Sequence, residues 1–302
     1  MNLPEQFTSN IRMFFGEVGK KWLADLPNII AYCEKRWKIT VHEPYKLSFN
    51  YVAPATTKDG KKVVLKLSVP GFECAQELQA LKIYNGQGIN KLLDFDEEKA
   101  IMILEHIIPG EMLSTIEDEE DAVIISSKVL SDLWKPVSTH INLPTVDSRA
   151  NAIKEYALKH PNGFGPIDGA TLQQAAKVFT YMVDTSKETM LLHGDFHHYN
   201  VLSHDQGWIA IDPKGLIGEK EYDLSQYMLN CIPETIEAKA KTIDLRAELF
   251  AKQLSLNKER ILLWGYCHAV LSLCWSVTDD EESNNKLSTS SIDAYKLLIN
   301  MN

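Results

Sequence analysis

The sequence predicts an α+β chain in two lobes, a small N-terminal β-sheet lobe carrying helices and a larger, mainly helical C-terminal lobe. Three observations lead there. Runs of strand length cluster between Ile39 and Leu104, the chain from Glu111 onward follows the 3.6-residue period, and Pro109-Gly110 stands between the two regimes. Residues 1–106 are therefore assigned to the first lobe, with 1–38 as a helical extension, and residues 107–302 to the second.

The elements follow in order. Apolar residues from about Ser9 to Trp37 recur at helical spacing and Pro27 interrupts them, which predicts two helices. From Ile39 to Leu67 the period shortens, and Lys58-Asp59-Gly60-Lys61 reads as a hairpin turn whose glycine supplies a positive φ. The strand Lys62 to Leu67 is apolar except for Lys66, and a lysine in such a run is costly unless it has a partner. Phe72 to Asn85 is a helix closed by Gly86, with Glu73 and Glu77 four residues apart on one face, so either can reach back to the lysine. Lys91 to Phe95 and Ala100 to Leu104 form a strand pair. Helices are expected at Asp121 to Val137, Ser148 to His160, Leu172 to Lys187 and Tyr222 to Asn230. Further ones are expected at Thr235 to Lys241, Leu245 to Leu254, Lys258 to Trp275 and Ser291 to Asn300.

Composition narrows the function. With 31 Lys+Arg against 41 Asp+Glu the formal charge is -10, which argues against nucleic acid and anionic membrane as partners and favours a cationic small molecule. The five cysteines are odd in number and lack metal-type spacing, which points to reduced thiols in a cytoplasmic protein. No export signal opens the chain, and Ile261 to Val277 carries too many polar residues to span a bilayer.

The densest signal runs from Leu191 to Leu202, Leu-Leu-His-Gly-Asp-Phe-His-His-Tyr-Asn-Val-Leu, followed by Trp-Ile-Ala-Ile-Asp-Pro-Lys-Gly at Trp208 to Gly215. Apolar ends bracket a polar loop, and a short hairpin delivers a second carboxylate. Mg²⁺ takes a few carboxylate or amide oxygens and completes its shell with phosphate and water, a need that Asn200 and Asp212 meet. Phosphoryl transfer to an alcohol also wants a carboxylate to orient the hydroxyl and take its proton, five residues before the metal-binding Asn in kinases. Asp195 and Asn200 have that spacing. The competing reading makes His193, His197 and His198 zinc ligands, but Gly194 and the polar run argue for a loop rather than a helix.

The string His-Gly-Asp-x-x-x-x-Asn followed by Ile-Asp resembles the motif of aminoglycoside phosphotransferases and related small-molecule kinases. The extended form, through Ile-Asp-Pro-Lys-Gly to Tyr222-Asp223-Leu224, is similar to the streptomycin 6-phosphotransferase and hydroxyurea phosphotransferase branch. That resemblance implies a protein-kinase-like fold, ATP and Mg²⁺ as cofactors, and a hydroxylated small-molecule acceptor. It implies Asp195 as catalytic base, Asn200 and Asp212 as metal ligands, and Lys66 at the nucleotide phosphates. Glu-Leu-Gln-Ala-Leu matches the family's Glu-x-x-Ala-Leu and selects Glu77 as the lysine's partner. Glu105 and His106 become the adenine-binding hinge, while His193 and Asp223 support the loop. A cationic acceptor would want carboxylates nearby, for which Glu221, Asp279 and Asp280 are candidates, although an acidic run is more often a solvated loop. The chain departs from protein kinases at Leu47 to Tyr51, where the phosphate-covering turn contains no glycine. That departure motivates a second reading, a kinase-like nucleotide-binding regulatory protein with little turnover, and a metabolite kinase with a non-antibiotic acceptor is the further alternative.

Overall fold

A computed structural model describes residues 3–137, 141–278, 284 and 286–300. The chain divides into two compact units, Met1–Pro109 and Gly110–Asn302.

The first unit is built on one antiparallel sheet. Its strands are β1 (Ile39–Val41), β2 (Tyr51–Thr57), β3 (Lys62–Leu67), β4 (Leu92–Asp96) and β5 (Ile101–Glu105), in the order β1-β2-β3-β5-β4. The β2–β3 turn places Gly60 at φ 83, as a tight hairpin demands. Alternate residues Tyr51, Ala53 and Ala55 of β2 and Val63, Leu65 and Leu67 of β3 face inward and join Phe7, Ile11, Trp22, Leu26 and Ile30 of helix α1 (Glu5–Trp37) in a core. Helix α2 (Phe72–Tyr84) follows β3 and ends on Asn85 in the left-handed conformation.

The N-terminal extension corrects the sequence expectation. Pro27 lies inside the helix, and the helical dihedrals break instead at Gly16 (φ 53, ψ -131). Pro27 is on the exposed face, so the carbonyl it leaves without a donor can turn to water. Gly16 has no Cβ and takes the positive φ without penalty.

The second unit is mainly helical. Strand β6 (Pro109–Met112) opens it, then α3 (Glu119–Leu133), β7 (Lys135–Pro136) and α4 (Val146–Lys159). A small hairpin, β8 (Gly163–Phe164) with β9 (Ile167–Asp168), leads into α5 (Gly169–Asp184). Strands β10 (Met190–Leu192), β11 (Val201–His204), β12 (Gly207–Ala210) and β13 (Leu216–Gly218) carry the motif region. Helices α6 (Lys220–Asp223), α7 (Ser225–Leu229), α8 (Ile236–Leu254), α9 (Lys258–Ser276) and α10 (Ser290–Leu298) complete it. Two three-stranded sheets, β13-β10-β7 and β12-β11-β6, hold the motif.

Helix ends follow local chemistry. Asp118, Thr145, Asp168, Thr235 and Asn257 each accept a first-turn amide at the start of α3, α4, α5, α8 and α9. The helix expected to run to Val137 stops at Leu133, because Pro136 disfavours helical backbone at Lys135 and the pair becomes β7. The two helices expected between Thr235 and Leu254 are one, since Thr242-Ile243-Asp244 contains no breaker and Ile243 is buried. Helix α9 is buried on nearly every face, from Ile261 through Trp264, Tyr266 and Val270 to Cys274. Among the described residues no helix is long and apolar enough to cross a membrane.

Candidate active site

The loop after β10 is held from below by one carboxylate. Asp223 accepts the His193 amide at 3.0 Å, the Gly194 amide at 2.8 Å and the Trp134 indole N–H at 2.9 Å. It is 2% exposed, and burial pushes its carboxyl upward against those three donors. Gly194 adopts φ +80, and a Cβ there would come to 3.1 Å from the Leu216 Cβ, so the loop needs glycine for both conformation and space.

His193 straps the loop to the segment beyond the hairpin. Its Nε2 donates to the Ile211 carbonyl at 2.9 Å, since a carbonyl can only accept, and its Nδ1 accepts from the Asp195 amide at 3.3 Å. The Lys214 and Gly215 amides donate to the His193 carbonyl at 2.8 and 3.0 Å. Burial lowers the imidazole to about 4, so it stays neutral. The other two histidines have different surroundings, His197 with its Nε2 3.2 Å from the Asn200 amide nitrogen. His197 lies 3.8 Å from an Asp195 oxygen, whereas His198 is buried and stacks on Tyr227 with ring centroids 3.9 Å apart. The three rings do not converge, and among the described residues no group of three His, Cys, Asp or Glu side chains is placed to hold a metal as a zinc site requires.

Asp195, Asn200 and Asp212 are brought together. The Asn200 amide nitrogen donates to the Asp195 carbonyl at 3.0 Å, and its amide oxygen has no protein donor among the described residues. The Ile211 amide donates to the Asn200 carbonyl at 2.9 Å, and β11 pairs with β12 from Val201↔Ala210 to His204↔Gly207, which draws Asp212 back beside Asn200. Asp212 sits at φ 60. Burial pushes the Asp195 carboxyl up to about 7, with Lys214 and Arg149 opposing the shift and Asp212 adding to it. Two carboxylates close enough for Asp212 to raise the protonation of Asp195, next to the Asn200 amide oxygen, form a hard oxygen donor set that suits Mg²⁺.

Lys66 and Glu77 meet in the first unit. The ammonium donates to the carboxylate at 2.6 Å, from β3 to α2, with both side chains buried. Glu73, the other candidate, is exposed in the first turn of α2. Glu105 accepts the Lys91 amide at 3.1 Å through its side chain, and His106 Nε2 lies 3.0 Å from the Tyr45 hydroxyl. The glycine-free turn is fastened to α1, where Asn10 donates to the Ser48 carbonyl at 3.1 Å and Phe14 meets Phe49 edge-on at 4.9 Å.

Among the candidate substrate carboxylates, Glu221 is 8% exposed and accepts the Asn257 amide at 3.4 Å, ahead of α9. Asp279 and Asp280 lie outside the described residues. Sequence reasoning missed Trp134, which shares Asp223, and Arg149, a fixed cation in electrostatic reach of Asp195. Neither belongs to a local motif, so only the tertiary fold reveals them. It also missed Arg246, fully buried, which pairs with Glu119 through two nitrogens and donates to the carbonyls of Tyr227, Asn230 and Cys231. That clamp fixes Tyr227, whose ring underlies His198 and Phe196 of the loop.

Comparison with known proteins gives a consistent picture. The family model described as "Aminoglycoside/hydroxyurea antibiotic resistance kinase" matches residues 36–280. The chain is 28% identical over 285 residues to a streptomycin 6-kinase of Streptomyces griseus, covering 92% of each chain. It is 26% identical over 289 residues to a hydroxyurea phosphotransferase of Kitasatospora aureofaciens, covering 93% of this chain and 82% of that one. A thermostable mutant of the aminoglycoside phosphotransferase APH(4)-Ia, solved in ternary complex with ADP and hygromycin B, superposes with a TM-score of 0.60 at 15% identity. That match covers 89% of this chain and 97% of the other, and it shows the protein-kinase-like fold.

Proposed function

The chain belongs to the aminoglycoside/hydroxyurea antibiotic resistance kinase family and is a phosphotransferase; from that premise we propose that it passes the γ-phosphate of ATP to a hydroxyl of a streptomycin- or hydroxyurea-like acceptor. The observation that carries this reading is the trio Asp195, Asn200 and Asp212, with Asp195 five residues ahead of Asn200 and its carboxyl raised to about 7. A base poised near neutral pH balances availability against proton affinity. Asp195 orients the acceptor hydroxyl and takes its proton as the hydroxyl oxygen bonds to the γ-phosphorus. The bond from phosphorus to the β–γ bridging oxygen breaks, and ADP leaves with that electron pair. Asn200 and Asp212 are the residues that would hold Mg²⁺, which when bound neutralises charge on phosphate oxygens. Lys66, fixed by Glu77, supplies a further cation for the nucleotide phosphates. Glu105 and His106 border the adenine. No covalent intermediate is needed, because positioning and charge stabilisation carry the reaction.

The test is ADP formation with a panel of hydroxylated acceptors, comparing the wild type with Asp195→Ala. Turnover in the wild type and its loss in the variant are expected; equal turnover in both would remove Asp195 as base. The glycine-free turn favours a second reading, a nucleotide-binding regulatory protein, and any phosphorylated product would dismiss it.

A further inference from the structure

One cation in the second unit is held rigidly yet keeps most of its hydrogen-bonding capacity. Arg149 lies in the first turn of α4, and the start of that helix is seated on β13. Thr145 bridges Ile217, and Val146 packs so closely on Gly218 that a Cβ there would lie 2.3 Å from it. Strand β13 pairs with β10, which runs directly into His193 and Asp195. Arg149 is thus placed beside the strand pair that carries the base, and its charge acts on both Asp195 and Asp223.

The guanidinium lies against two aromatic rings, 5.6 Å from the Tyr222 centroid and 5.2 Å from that of Trp275. Behind it runs a chain of hydrogen bonds. Arg149 Nη1 donates to the Tyr222 hydroxyl at 3.3 Å, and Tyr222 Oη lies 3.1 Å from His268 Nδ1. His268 Nε2 in turn lies 2.8 Å from the Gln226 Oε1. An amide oxygen can only accept, so Nε2 carries the proton, Nδ1 accepts, and Tyr222 donates to it. Every link has a fixed direction, and each orients the next. Only Nη1 has a described partner. Nε and Nη2 have none among the described residues, and no described carboxylate is hydrogen-bonded to the group. Arg149 is only half-buried, and Trp275 is 47% exposed, so a small molecule can reach this edge.

A planar fork of N–H donors matches an sp² oxygen, whereas a fixed positive charge beside the base opposes a polycation. We propose that Arg149 is a specificity-determining residue on the acceptor side: it takes a carbonyl or carboxylate oxygen of the acceptor and selects a compact urea- or carbonyl-bearing hydroxyl compound over a polycationic aminoglycoside. The inference rests on the phosphotransferase reading above and decides between the two activities named among the relatives.

The experiment compares wild type, Arg149→Met and Arg149→Lys in the full chain with hydroxyurea and streptomycin as probes. It measures KM and kcat for each acceptor, ATP affinity, and acceptor binding by calorimetry in the presence of a non-hydrolysable ATP analogue. The wild type should bind and turn over hydroxyurea in preference to streptomycin. Arg149→Met should weaken hydroxyurea binding and raise its KM by about 10- to 100-fold, the worth of a charge-assisted hydrogen bond. It should leave ATP affinity unchanged and narrow the discrimination against streptomycin. Arg149→Lys, which keeps the charge and loses the fork, should recover only part of the KM. An unchanged hydroxyurea KM in Arg149→Met, or a wild-type preference for streptomycin, would overturn the proposal. So would a fall in kcat with both acceptors at constant KM, which would assign the oxygen to the transferred phosphoryl group. If the wild type binds hydroxyurea through Arg149 and transfers no phosphate, the phosphotransferase reading fails and the binding assignment stands.

Discussion

Replacing Glu77 with Gln is the sharpest test of the first unit. The ammonium of Lys66 and the carboxylate are 2.6 Å apart, and their side chains are 5% and 8% exposed. At an effective dielectric of about 20 that separation corresponds to roughly 6 kcal/mol of attraction, offset by the desolvation of two ions. Glutamine keeps an oxygen to accept the hydrogen bond but removes the negative charge that faces the buried ammonium at 2.6 Å. The expected cost is about 3 kcal/mol, or a fall of about 6 °C in Tm for a chain of this size. The double variant Lys66→Met/Glu77→Leu removes both charges together and should return to within about 1 kcal/mol of wild type. Thermal and urea unfolding of the wild type, Lys66→Met, Glu77→Leu and the double variant give the coupling energy, and a parallel measurement of KM for ATP gives the functional effect. The double variant should be stable and still fail to use ATP, which separates the role of Lys66 at phosphate from its role in the fold. A coupling energy below about 0.5 kcal/mol would show that the two charges act independently and would refute the reasoning.

Three further outcomes follow. With Asp195 raised to about 7, kcat/KM should fall below about pH 7 as the base is protonated, and Lys214→Met, which removes a cation that holds this carboxyl down, should move that limb to higher pH; a pH profile of both proteins checks it. A carboxyl whose folded value lies above its unfolded one favours the native state below about pH 4, and that contribution is lost as pH rises through about 7. Asp195→Asn should therefore raise the Tm of the apo protein more at pH 8 than at pH 5, and an equal shift at both would contradict the burial argument. Asp223→Ala leaves three N–H donors without an acceptor and, after relief of a buried charge, should cost about 2–4 kcal/mol. Amide exchange at His193 and Gly194 should accelerate in that variant, with Asp223→Asn intermediate.

What the sequence disclosed was whatever depends on neighbours along the chain. The Asp195-to-Asn200 spacing, the β11–β12 turn and the glycines at 60 and 194 are local, because a tight turn and its flanking strands are decided within a dozen residues. Lys66 was legible because an isolated charge in an apolar strand must find a partner, and the choice of Glu77 over Glu73 came from resemblance; the helical face alone left both open. Where the elements departed from expectation, local context decided: solvent exposure made a break at Pro27 unnecessary, Pro136 ended the helix expected to reach Val137, and the buried Ile243 joined two expected helices into one. Trp134, Arg149 and Arg246 were invisible because each acts through partners more than 70 residues away or through a cluster drawn from several helices.

The φ of 60 at Asp212 has a bearing on which residues that position can ever hold. Glycine, asparagine and aspartate occupy the left-handed region readily, whereas other side chains are several-fold rarer there. Backbone geometry thus favours a short set of residues at 212, and aspartate is the member of that set that brings an anionic oxygen. Glutamate, the obvious chemical substitute, is disfavoured by the main chain before its charge is considered. The carboxylate at 212 is therefore selected twice, once by the fold and once by the chemistry. An alanine replacement there would confound the two, whereas asparagine would change only the second.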